Sequence, residues 1–121
     1  MSHKIIENIN LIKDDIRFKD EKVKIIAVSK TFSLEKIMPL INYNHLHFGE
    51  NKVQEAVDKW SEIKKNNNNL KLHMIGKLQT NKVKYVIPIF DYIHSLDNLK
   101  LAEKISSEQK KTNKNLKIFI Q

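Results

Sequence analysis

Four polar stretches of this chain have residue types and spacing suited to chemistry. The first is Ser29-Lys30-Thr31, which closes the apolar run from Val23 to Val28. The others are Gly49-Glu50-Asn51, the segment GKLQTNK from Gly76 to Lys82, and His94-Ser95-Leu96-Asp97. A lysine at a partly desolvated strand end has its pKa lowered, and its neutral amine can form a Schiff base with an aldehyde. The plainer alternative for Lys30 is a solvated side chain at the start of a loop. Asn51 is placed to cap a helix through its amide oxygen while presenting its NH2 to a ligand. His73, between Leu72 and Met74, reads either as a satisfied core histidine or as a ligand contact. The histidines at 3, 45, 47, 73 and 94 lack metal-ligand spacing, so no metal is expected.

These stretches meet only if the elements between them bring one edge of a fold together. Helical and strand patterns alternate along the chain. Ile5, Ile9, Ile12 and Ile16 share one face of an opening helix. Val23–Ser29 reads as a strand, and Ser33 as the cap of a helix burying Leu34, Ile37, Met38 and Ile41, with Pro39 a point of kinking. A second strand spans Leu46–Gly49. Asn51 then opens a helix with Val53, Ala56, Val57, Trp60 and Ile63 inward and Gln54 set for a capping box.

A third strand lies in LKLHMIG, followed by a short helix over Asn81–Val86, and a fourth strand in FDYIHS. Asp97 is the expected cap of a helix burying Leu99, Ala102 and Ile105, and LKIFIQ is a fifth strand. Strict βα alternation argues a parallel sheet covered by helices. Right-handed crossovers leave a doubly wound sheet or a (β/α) barrel. No G-x-G-x-x-G follows a strand, which speaks against a dinucleotide fold. In either architecture function gathers where strands end and helices begin, and both glycines of the chain fall at that edge. They suggest tight turns or close approach of the backbone to a ligand.

With 121 residues the chain suffices for one modest core. Its longest apolar runs fall far short of the ~20 residues of a membrane span. It has no cysteine, which fits a reducing cytoplasm and excludes thiolate chemistry and disulfides. A net charge of +8 invites a nucleic-acid reading. However, 21 Lys, 17 Ile and 13 Asn stand against a single Arg, the skew of AT-rich coding, whereas nucleic-acid readers lean on arginine forks. Nucleic acid is therefore a disfavoured partner.

The segments AVSKTFSLEKI, HFGENKVQEAVDKW, HMIGKLQTNKVKYV and IHSLDNLKLAEKIS, in this order and spacing, resemble the pyridoxal phosphate homeostasis protein family. The resemblance runs from Val23 onward and implies a single-domain (β/α) TIM barrel like the N-terminal domain of alanine racemase. It implies pyridoxal 5′-phosphate (PLP) as cofactor, Lys30 as its Schiff-base lysine, Asn51 lining the site and His73 pointing toward it. Family members are close to twice this length. Residues 1–121 then form the N-terminal portion of one barrel domain, about five of eight strands. The family's phosphate-gripping motifs, a Ser-Met-Gly-Met-Ser-like stretch and a later Gly-Thr turn, match no segment here.

The function expected from the resemblance is non-catalytic PLP homeostasis in the cytoplasm, with PLP-dependent apo-enzymes as recipients. An inert fragment and a basic nucleic-acid or protein-binding module are the alternatives. A racemase would require a second acid/base facing the lysine, for which 121 residues offer no domain. An open edge after five strands is expected to favour self-association.

Overall fold

The structure, a computed structural model, describes residues 4–17 and 23–120. Eleven elements alternate along it: α1 (Lys4–Arg17), β1 (Ala27–Val28), α2 (Leu34–Asn42), β2 (His47–Glu50), α3 (Val53–Asn66), β3 (Lys71–Met74), a 3-10 turn (Thr80–Lys82) leading into α4 (Val83–Val86), β4 (Tyr92–Leu96), α5 (Leu99–Thr112) and β5 (Lys117–Ile120). All strand pairings are parallel, and the spatial order β1-β2-β3-β4-β5 equals the chain order. A doubly wound sheet reverses its strand order at a switch point. No reversal occurs here, so of the two expected architectures the doubly wound one is excluded for these strands. The sheet is not closed: β1 and β5 each pair on one side only.

Right-handed crossovers between sequential parallel strands put the helices on one side of the sheet. Strand alternation divides the side chains accordingly. Phe48, Leu72, Met74 and Ile93 face that side and are at most 1% exposed. They pack with Trp60 of α3, Val83 and Val86 of α4, and Leu101 and Ile105 of α5. Phe48 and Trp60 meet with ring centroids 4.9 Å apart. The face of α3 that periodicity marks as apolar is the buried one.

Elsewhere the local signals mislead. Of the strand expected over Val23–Ser29, only Ala27 and Val28 pair, with Phe48 and Gly49 of β2. Ile9 is buried in α1, but Ile12 is 50% exposed, at the wall of a cavity it shares with Ile5, Ile9 and Leu40. The cap of α5 is Asn98, whose Oδ1 accepts from the Leu101 amide at 2.8 Å, while Asp97 accepts from the Asn98 amide group. That one-residue shift turns Leu99 outward (74% exposed) and seats Leu101 and Ile105 in the core. Lys52, not Asn51, occupies the cap position of α3, and Gln54 bonds Asp58 at 3.1 Å in place of a capping box. Ser33 stands at the cap of α2 without a side-chain bond, and that helix continues through Pro39.

Candidate functional site

The strand registers draw one continuous row across the sheet: Val28, Gly49, His73, Tyr92 and Lys117 are neighbours on all five strands. Phe48 and Glu50 point to the helices, so this row lies on the opposite, open face. Beyond the strands, Lys30 lies in the turn after β1 and Asn51 in the bend after β2, while His94, within β4, shares the open face with Tyr92 and His73. Of the three residues expected to form a site, His73 lies on the open face, and Lys30 and Asn51 follow the C-terminal ends of β1 and β2.

Their environments differ. Lys30 is exposed in the turn after β1, not partly desolvated, because β1 is an edge strand with an open face. Asn51 is half-buried. Gly76 explains where it sits: a Cβ on Gly76 would lie 2.5 Å from the Asn51 carbonyl oxygen and 2.8 Å from its Oδ1. Neither glycine has a positive φ. The close approach at Gly76 is to Asn51 itself, which is the role the glycine plays at this edge. Gly49 leaves the row bare between Val28 and His73, where a Cβ would come within 3.1 Å of Ile26 and Ile75 methyl groups.

His73 is 4% exposed and uses both ring nitrogens. Its Nε2 lies 2.9 Å from His47 Nδ1, and its Nδ1 lies 2.8 Å from His94 Nε2. Its ring stacks on Tyr92 at 4.1 Å with planes 6° apart, and Phe119 continues the wall 4.7 Å from His94. Burial, with His94 and His47 beside it, lowers the His73 pKa to about 4. Burial also lowers His47 and His94. At neutral pH these three rings are thus uncharged, and each link between them is one N–H donated to one ring nitrogen. Among the described residues no group of side chains is arranged to hold a metal. His47 was not among the residues singled out in the sequence; its place opposite Lys71, two residues from Gly49, needs the register to be seen.

A second cluster also escaped the sequence reading, on the helix side below Lys30. Glu50 is fully buried and accepts from Ser29 Oγ at 2.5 Å, Trp60 Nε1 at 3.1 Å and Lys59 Nζ at 3.1 Å. Lys59 also donates to the Ser29 carbonyl at 2.7 Å and to Glu55 at 3.2 Å. Only the Glu55–Lys59 pair has the helical i,i+4 spacing that a sequence displays.

Fold and site together define a singly wound parallel α/β protein with an open, imidazole-lined face and an exposed lysine in the turn after its first strand. No family model matches the chain. It is 39% identical over 117 residues to the pyridoxal phosphate homeostasis protein of Haemophilus influenzae, which covers 91% of this chain and 49% of that protein. It is 33% identical over 126 residues to the protein of the same name from Vibrio alginolyticus, covering 97% of this chain and 54% of the other. Among solved structures, PipY of Synechococcus elongatus without PLP superposes with a TM-score of 0.77 at 35% identity, over 87% of this chain and 49% of PipY. PipY with PLP bound gives 0.76 at 33% identity, over 87% and 50%. The chain is a relative of the pyridoxal phosphate homeostasis proteins and spans about half the length of the relatives it matches.

Proposed function

We propose that this chain is part of a non-catalytic protein of intracellular PLP homeostasis, which attaches the cofactor covalently at Lys30. The observation that carries the reading is that Lys30 and Asn51 follow the C-terminal ends of two adjacent parallel strands, in the sheet whose open face carries His73. The likeness to PLP-bound PipY supports it. The residues present fit the aldehyde and ring of the cofactor. When bound, PLP supplies an aldehyde for a primary amine and a planar, polar ring.

Lys30, exposed at the rim, supplies the amine. Asn51, seated against Gly76, supplies a fixed amide beside it. His73 stays neutral at pH 7 and presents an aromatic wall with Tyr92 rather than a charge. We read the five parallel strands as part of a (β/α) barrel, with their open edges as sites of self-association. We take PLP-dependent apo-enzymes of the cytoplasm as the recipients, to which a reversibly attached cofactor can pass.

Incubation with substoichiometric PLP, borohydride reduction and peptide mass mapping test the assignment. The reduced cofactor is expected on the peptide containing Lys30, and Lys30→Ala is expected to abolish it. Equal labelling of Lys30→Ala, spread over other lysines, would overturn the reading.

A further inference from the structure

We propose that Glu50, Lys59 and Glu55 are positioning residues that aim Lys30 by clamping the backbone on both sides of it. The inference rests on the reading of Lys30 as the attachment site. On the N-terminal side, Ser29 is held at every polar atom. Its N–H donates to the Gly49 carbonyl at 2.9 Å, its Oγ donates to Glu50 Oε2, and its carbonyl accepts from Lys59 Nζ at 2.7 Å. On the C-terminal side, the Thr31 N–H donates to Glu55 Oε1 at 2.5 Å. Thr31 has φ 65°, a left-handed conformation that a β-branched residue adopts only when its surroundings impose it.

One ammonium joins the two clamps. Lys59 Nζ lies 3.1 Å from Glu50 and 3.2 Å from Glu55, and its side chain is 7% exposed. A fully buried carboxylate and a nearly buried ammonium hold this geometry only as partners, since either alone would be an uncompensated buried charge. None of the three touches the open face, because Ser29 and Glu50 lie on the helix side of the sheet. Their effect on Lys30 passes through the Ser29 and Thr31 peptides. An exposed lysine has four rotatable side-chain bonds, and fixing its Cα–Cβ direction is what backbone clamps can do for it.

The experiment compares the rate of Lys30 labelling by PLP and borohydride with the melting temperature in four variants of the full chain. Glu55→Ala removes the acceptor for Thr31 and is expected to slow labelling on the order of tenfold with little change in melting temperature. Glu55→Gln keeps an oxygen for that N–H and is expected to restore most of the rate. Glu50→Gln is expected to slow labelling at least as much, and if it fails to fold the two Glu55 variants decide alone. Wild-type labelling in Glu55→Ala, or equal rates in Glu55→Ala and Glu55→Gln, would overturn the proposal. Lys30→Ala separates the two readings: undiminished labelling there defeats the attachment site itself. Loss of label only in Lys30→Ala defeats the clamps alone.

Discussion

At the scale of single residues, His73 is strongly altered by folding. Its pKa falls from 6.5 to about 4, first because burial disfavours the imidazolium and then because His94 and His47 stand beside it. Lys71 and Lys24 add positive charge around His47, and Asp91 works in the opposite sense. Between the two values the unfolded chain binds more protons than the folded one, so stability is fully present above 6.5 and is lost as pH falls toward 4. At ~1.4 kcal/mol per unit, His73 accounts for up to about 3 kcal/mol of that loss. Urea unfolding at pH 7.5 and at pH 4.5 measures it. His73→Phe, which keeps a ring to stack on Tyr92, is expected to flatten the dependence over this window. An unchanged slope in that variant would place the titration elsewhere.

At the scale of elements, α5 shows how a cap chooses a helix face. Asp97 and Asn98 are both good caps, and the sequence cannot rank neighbours of equal chemistry. Asn98 wins because its oxygen reaches the Leu101 amide, and Leu101 then lies in the core with 0% exposure while Leu99 is 74% exposed. Truncating Leu101 to Ala is expected to cost ~2–4 kcal/mol, the range for opening a cavity at a filled core position. Leu99→Ala is expected to stay within ~0.5 kcal/mol, as for a surface substitution. Chemical denaturation of the two variants reads the difference. A larger loss for Leu99→Ala would mean that the helix is rotated from the face described. The Val53–Ile63 face of α3 needed no such arbitration, since Ala56 and Trp60 are both fully buried within a long, regular period.

At the scale of the whole molecule, the open sheet decides behaviour. β5 carries Phe119, 51% exposed, and Ile120, 86% exposed, along an edge with no neighbour, and Val28 on the opposite edge strand is 49% exposed. Unpaired strand edges with apolar side chains recruit other strands. The 121-residue chain is therefore expected to associate in sedimentation velocity. High salt should not disperse it, because ladder pairing and apolar contact are not screened as surface charges are. Ile120→Lys, a charge on the edge, is expected to shift the population toward monomer. A concentration-independent monomer in the unsubstituted chain would contradict this account.

By itself the sequence determined the alternation of strands and helices, the inward face of α3, and the gathering of Lys30, Asn51 and the two glycines near strand ends. Each is written in local period, in turn chemistry or in chain order, which need no knowledge of neighbours. Only the tertiary structure decided that Leu99 and Ile12 face water, that Asn51 rests on Gly76, and that the histidines of β2, β3 and β4 join in one chain. The same is true of the clamps on Ser29 and Thr31, which bring Glu50, Glu55 and Lys59 to a strand end 20 or more residues away. The physical reason is register: parallel pairing sets which residues of distant strands stand side by side, and a slip of one residue would turn every side chain to the other face.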